Sequence, residues 1–250
     1  MRDEDEVAPS SITCRVICDD GIEICTFVFN QKASKYGELC FFRMSNMALY
    51  TNIYGNHNKN GNLIHCIGYI MEDMNLEFTS VTELHISNDS NVNKIAMFMR
   101  FKRDIENFDM IVNRKKVVGD REKIDGYKEI WQSSRKKKEN PSIYIQQKKD
   151  TAPKLCCYNK SIEIKDNGNE KEYVKKYNNF GNQTIYRSEL RLRWESLKEY
   201  FDNIDIHDFS MVEYMLIENN LKEMYRHFVS RLVHFKSKSG GDIISLHNIA

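Results

Sequence analysis

Two short stretches of the chain carry residue types that could work together on an anionic substrate. Leu155 to Lys160 (LCCYNK) puts Tyr158 at the polar end of an apolar run, with Lys160 two residues on. Tyr186 to Arg193 (YRSELRLR) alternates with the period of a strand, so Tyr186, Ser188, Leu190 and Leu192 share one face. The opposite face carries Arg187, Glu189, Arg191 and Arg193. A phenol, an ammonium, a carboxylate and a row of guanidiniums on neighbouring strands suggest phosphodiester chemistry. A tyrosine can attack a backbone phosphate and hold the bond as a phosphotyrosyl ester. A free phenol, with a pKa of about 10, is ionised only on the order of 0.1% at neutral pH, so the site must help. Glu189 is the expected ligand for a hard divalent cation, Mg²⁺ or Mn²⁺, that would stabilise charge on the phosphate. Lys160, on the same side of an extended strand as Tyr158, would assist electrostatically. Each residue also has a plainer reading: Tyr158 as a half-buried strand tyrosine, Glu189 as the partner of Arg187 and Arg191, Asp89 as a turn residue and His85 as a sheet histidine.

The elements that must position these groups begin with a hairpin. SITCRVIC and IEICTFVF flank Asp19-Asp20-Gly21, whose Asp-Gly pair suits a type I′ turn. Leu39–Met44, Leu63–Ile70 and Leu76–Ile86 read as further strands, with YGNHNKNGN as a turn-rich loop between the first two. The period then changes: Val92, Ile95, Ala96 and Met99 recur at helical spacing behind a cap at Ser90 or Asn91, leaving Asp89 at the strand-to-helix junction. Met110–Val118 reads as a short strand, Gly119–Asn140 as a basic stretch containing Trp131, and SIYIQQKK with KLCCYNKSIEI as two paired strands. Residues 166–180 form a polar excursion, and Trp194–Phe201 is helical. A long last helix is expected over Ser210–Lys236, with Leu221, Met224, Phe228, Leu232 and Phe235 as its apolar stripe and Ser-Gly-Gly ending it. The fold expected is α+β, a largely antiparallel central sheet flanked by helices with a long C-terminal helix. Three regions are expected: 1–75 β-rich, 76–205 the chemical core, and 206–250 helical, all three compatible with one continuous domain.

Composition narrows the function classes. No apolar run approaches the ~20 residues that span a bilayer, and the acidic N-terminus is unlike a secretory signal, so a cytoplasmic setting is expected. Seven cysteines without a CxxC pair argue for buried thiols rather than zinc or a disulfide framework. The overall net charge of +1 hides a segregation. Residues 1–93 carry 6 Lys and Arg against 13 Asp and Glu (net −7), residues 94–160 carry 18 against 9 (+9), and residues 161–250 carry 13 against 14 (−1). A basic middle is expected of a nucleic-acid surface, with a solvated lysine-rich loop as the alternative.

The order and spacing of LCCYNKSIEI, a polar insertion and IYRSELRLR resemble the replication initiation factor family of rolling-circle plasmids, phages and integrative elements. The Tyr158-Asn159-Lys160 triplet with Glu163, and Arg187-Ser188-Glu189-Leu190, stand for that family's tyrosine and glutamate strands. ELHISNDSN followed by a helix resembles its earlier acidic strand, with His85 at the first acidic position and Asn88 before Asp89. The resemblance covers roughly Leu76 to Tyr200. It implies a metal-assisted nicking and closing enzyme acting at a DNA origin hairpin, single-stranded at the nick, as a possible homodimer. Tyr158 would be the nucleophile and Lys160 its helper, with Glu189 and Asp89 as metal carboxylates. Arg135, Lys136, Lys137, Lys138, Lys148, Lys149, Arg187 and Arg191 would contact the nucleic acid. No histidine lies two residues from another, so the two-histidine class of replication proteins is not expected. The alternative expectation is a non-catalytic single-stranded nucleic-acid-binding protein that uses segment 94–160, with Trp131 and Tyr144 as stacking aromatics. A third is an interaction protein whose terminal helix packs on a partner.

Overall fold

A computed structural model of the chain describes residues 11–17, 21–30, 40–54, 60–121, 124–130, 133–134, 137–138, 142–146, 149–168 and 171–247. It divides into two compact units, 1–61 and 62–250. The expected boundaries near residues 75 and 205 both lie inside the second unit, whose apolar core draws on residues from Ile86 to Leu246.

In the first unit, β1 (Ser11–Ile17), β2 (Glu23–Asn30) and β3 (Cys40–Met44) form an antiparallel sheet in that order, followed by α1 (Asn46–Tyr54). The β1–β2 hairpin is as expected, with Gly21 at a φ of 81°; Asp19 and Asp20 lie outside the described residues. Cys25 and Phe27 are buried, and the Phe27 ring lies 5.0 Å from that of Phe42.

The expected strand over Leu63–Ile70 is instead part of a helix, α2 (Asn60–Asp73), with Leu63 and Ile67 one turn apart and both buried. A β-branched apolar run reads as a strand by composition, but its buried residues follow the helical spacing. Residues 76–82 belong to neither a strand nor a helix, and pairing begins at β4 (Glu83–Ser90). Then α3 (Lys94–Arg103) is capped two residues beyond the nearer expected cap, Asn91, because the Asn93 side chain accepts the Ala96 N–H. The expected strand over Met110–Val118 is a tight hairpin, β5 (Phe108–Val112) and β6 (Lys115–Lys116), turned by Asn113 and Arg114 at φ 51° and 64°.

Next come β7 (Tyr127–Ile130), the short pair β8 (Ser133–Ser134) and β9 (Lys137–Lys138), then β10 (Ser142–Gln146) and β11 (Lys154–Asn159). The last two pair antiparallel as expected. The SIEI segment does not continue β11; it belongs to α4 (Lys160–Asp166), because the Asn159 side chain accepts the Ile162 N–H and caps a helix there. The polar excursion contains α5 (Tyr173–Tyr177), after which β12 (Tyr186–Arg193) and α6 (Trp194–Asn203) match their expected places.

The long terminal helix is broken. α7 (Ser210–Met215) and α8 (Glu218–Leu232) meet at Ile217, and the chain then enters a hairpin, β13 (Val233–Ser237) and β14 (Ile243–Ser245). Phe235 is buried in that strand rather than on a helix stripe, and Gly240 and Gly241 lie in the hairpin connection. The apolar alternation Val233, Phe235 overrides the helical pattern because it pairs with β5.

The α+β expectation holds, with every strand pair antiparallel among the described residues. A five-stranded sheet has the order β4-β12-β11-β10-β7 and a four-stranded sheet the order β14-β13-β5-β6. Both contribute to one core with α3, α6, α7 and α8, in which Phe98, Met110, Leu155, Leu190, Phe201, Met224 and Phe235 are buried. Among the described residues no helix is long and apolar enough to cross a membrane.

Candidate functional site

The three-strand register β4–β12–β11 puts the candidate residues on one face. Tyr158 pairs with Arg187 and Arg187 with Asp89; Cys156 pairs with Glu189 and Glu189 with Ser87; Lys154 pairs with Arg191 and Arg191 with His85. Because side chains alternate along a strand, these rows all project away from the core, which takes Leu155, Cys157, Ser188, Leu190 and Leu192 from the other face.

Tyr158 and Glu189 are diagonal neighbours across β11 and β12, a spacing an aromatic side chain can bridge. The Tyr158 hydroxyl donates to Glu189 Oε2 at 3.1 Å. Burial holds the phenol far above its ordinary pKa; the positive charge of Arg187 opposes this, and the Glu189 carboxylate adds to it. The group is therefore a neutral phenol hydrogen-bonded to a carboxylate. The other Glu189 oxygen accepts from Arg191 Nε at 2.8 Å and lies 3.5 Å from His85 Nδ1. The second His85 nitrogen is bonded to Glu83.

Asp89 sits elsewhere in the network than expected. Arg187 Nε and Nη2 donate to its two oxygens, both at 2.7 Å, and both side chains are buried. A bidentate pair of this kind fixes the guanidinium beside the phenol. Asp89, expected as a metal carboxylate, is thus engaged by Arg187, just as the two Glu189 oxygens are engaged by Tyr158 and Arg191. Among the described residues no group of three or more His, Cys, Asp or Glu is arranged so that it could hold a metal ion. The donors that do lie side by side are Glu189 and His85, at a separation two ligands of one cation can span. Glu83 on the far ring nitrogen resembles the carboxylate that commonly orients a ligating histidine.

Lys160 does not lie along the strand with Tyr158, as the sequence suggests; it is the first residue of α4. It stays close to the phenol all the same, its ammonium 5.9 Å from the ring centre. Its backbone N–H donates to Ile185 O at 2.8 Å and the Ser161 hydroxyl accepts from Ile185 N at 2.9 Å, pinning the start of α4 to the approach of β12. Lys160 is 2% exposed and ion-paired with Glu163, which also accepts from Lys171 at 2.5 Å. Burial and then the charge of Arg187 lower the Lys160 pKa, against the pull of Glu163.

Of the expected nucleic-acid contacts, Arg135, Lys136 and Lys148 lie outside the described residues, as does Trp131. Lys137 and Lys138 are described as the backbone of β9, and Lys149 is exposed beside β11. Arg187 and Arg191 face the site, held by Asp89 and Glu189. Part of the basic segment 94–160 is structural. Lys94 and Lys102 are buried, Lys94 donating to Asn88 at 2.9 Å, and Arg121 donates to the carbonyls of Phe101, Lys102 and Phe108. Sequence reasoning missed Lys171 and Tyr173, which the polar excursion brings to the site. The charges of Arg187 and Lys171 act on the Tyr173 phenol, whose pKa burial raises. The one available signal was the presence of cations and an aromatic in a segment otherwise rich in Asn and Gly.

No protein-family model matches the chain, and no curated protein matches it.

Proposed function

We propose that the protein is a tyrosine DNA nicking and closing enzyme that starts rolling-circle replication of a mobile element. The observation that carries the reading is the hydrogen bond from the Tyr158 hydroxyl to Glu189, on a polar sheet face flanked by Arg187 and Lys160. A phenol that burial keeps protonated needs a proton acceptor at the moment of attack, and Glu189 is in contact with that proton. In the forward step the phenol oxygen bonds to phosphorus while the bond from phosphorus to the 3′ oxygen breaks. Glu189 takes the phenol proton, and the departing 3′ oxygen takes one from solvent. The product is a 5′-phosphotyrosyl ester and a free 3′ hydroxyl. Closing reverses this: the 3′ hydroxyl attacks phosphorus and Tyr158 leaves, recovering its proton. Arg187, oriented by Asp89, and Lys160 stabilise the charge on the phosphate oxygens.

Mg²⁺ or Mn²⁺ is part of the proposal, with Glu189 and His85 as the residues that would hold it. Bound there, the cation would supply further stabilisation of charge on the phosphate. The reading carries with it a cytoplasmic setting, an origin hairpin as partner and possible action as a homodimer.

The test is covalent. Wild-type protein is incubated with a 5′-side and a 3′-side labelled single-stranded origin oligonucleotide and Mn²⁺, then denatured. The label downstream of the nick is expected to migrate with the protein, and Tyr158→Phe should remove that band while oligonucleotide binding persists. If wild type binds but never becomes attached, the non-catalytic single-strand binder is the better description.

A further inference from the structure

Glu163 occupies an unusual place. One of its oxygens pairs with Lys160 and the other accepts from Lys171, so a single carboxylate bridges two ammonium groups, of which that of Lys160 lies 5.9 Å from the centre of the Tyr158 ring. Asn167 Nδ2 also approaches the second oxygen at 3.4 Å. The side chains of Lys171 and Glu163 are 36% and 28% exposed, whereas that of Lys160 is 2% exposed. Solvent therefore reaches this cluster from the Lys171 side, and Glu163 is part of what covers Lys160. Net, the Glu163 pKa is lowered: burial acts to raise it, and the two lysines outweigh that. Arg187 acts on Lys160 from the sheet side, adding a third cation to the surroundings.

Two cations bridged by one small anion next to a candidate nucleophile have the charge pattern of a phosphate site with a substitute in place. We propose that Lys160 and Lys171 form a subsite for a backbone phosphate adjacent to the one Tyr158 attacks, and that Glu163 fills this subsite in the free protein and is displaced when the strand binds. This deepens the nicking reading and rests on it for the identity of the strand. It assigns a binding role to the excursion between β11 and β12, which delivers Lys171 on a segment of its own. It also sets a threshold: a ligand must replace two charge-assisted bonds, so an anion with at least two accepting oxygens is favoured over chloride.

The test compares two probes in the full chain with Tyr158→Phe throughout, so that no covalent step intervenes. The first is a fluorescent single-stranded 20-mer in a salt series, and the second is inorganic phosphate read by thermal shift. Glu163→Gln should tighten the oligonucleotide about threefold or more while leaving the dependence of log K on log salt unchanged, because the same phosphate is neutralised once Glu163 is displaced. Phosphate should then raise the melting temperature of Glu163→Gln more than that of the unsubstituted protein, and adding Lys171→Ala should cancel both gains. Should Glu163→Gln fail to fold, Lys171→Ala alone must still lower the salt slope by about 0.7. Unchanged or weaker binding by a folded Glu163→Gln overturns the proposal and makes Glu163 a positioning residue for the lysines. The phosphate arm separates this result from failure of the nicking reading. A subsite that binds phosphate in a protein never found attached to DNA keeps the site and removes the nickase.

Discussion

On β12, Ser188, Leu190 and Leu192 are sealed against α-helices, while Arg187, Glu189 and Arg191, each one residue away, form a charged network on the opposite face. The same holds on β11, where Leu155 and Cys157 face the core and Cys156 and Tyr158 face the site. The inner face is held by apolar burial and tolerates polar groups only when paired, as with Cys157 donating to Ser188 at 3.5 Å. On the outer face Arg187 and Glu189 are also withdrawn from water, each 8% exposed, whereas Arg191 and His85 are open to solvent, and the contacts there are charge-assisted and directional. An apolar seal on one side and a charged, hydrogen-bonded network on the other thus share a backbone. Substitutions one residue apart should therefore fail in different ways.

The sharpest contrast is expected from the outer face. Tyr158→Phe should reduce covalent attachment to DNA by at least a thousandfold on a denaturing gel, with little change in melting temperature, because only one hydroxyl is lost. Breaking a buried ion pair costs about 3–5 kcal/mol, so Asp89→Ala should destabilise the fold by roughly that amount in a denaturant titration and weaken attachment as well. Asp89→Asn should recover part of the stability. On the inner face, Leu190→Ala should cost about 2–5 kcal/mol and leave the residual folded fraction able to react. His85→Ala should leave stability within about 0.5 kcal/mol and raise the Mn²⁺ concentration needed for half-maximal attachment. If Asp89→Asn raises that concentration more than His85→Ala does, the assignment of the cation to Glu189 and His85 is wrong.

The smallest effect is a pH dependence away from the site. His227 and His247 both have pKa values lowered below the ordinary 6.5, first by burial and then by nearby arginines, Arg231 and Arg114 for the former and Arg226 for the latter. The unfolded chain therefore binds more protons at these residues than the folded one does. Their stabilising contribution is complete above the unfolded value of 6.5 and is lost as pH falls through the lowered folded values. Melting temperatures measured from pH 8 down to pH 5 should decline over that window, and less so in a His227→Gln variant.

Much of this organisation was legible before any coordinates. Strict alternation in YRSELRLR assigned the faces of β12, and the apolar LCC run marked β11 as a strand with Tyr158 at its polar end. That Tyr158 and Glu189 share one surface came from the β11–β12 register. What the sequence could not convey was who pairs with whom across long separations. Asp89 and Arg187 are 98 residues apart, and their bidentate contact depends on the β4–β12 register, which no local pattern encodes. Local ambiguity explains the other differences. Ser161 to Ile164 alternates like a strand, yet the Asn159 cap makes it helical, which moved Lys160 from the strand to the head of α4. Phe235 extended a helical stripe on paper, while its pairing with Met110 of β5 puts it in a strand. In both cases a tertiary or capping interaction decided between two patterns that fit the residues equally well.

The strand order has a consequence for how the protein is made. β4 joins the five-stranded sheet through β12, which is the last of the five to be synthesised. A nascent chain released up to β11 already contains Tyr158, but neither Glu189 nor Arg187 has left the ribosome. The sheet cannot close around Asp89 until then either. In the proposed nicking reading, incomplete polypeptides are kept unreactive by topology alone, and a prematurely terminated product would carry an inert phenol.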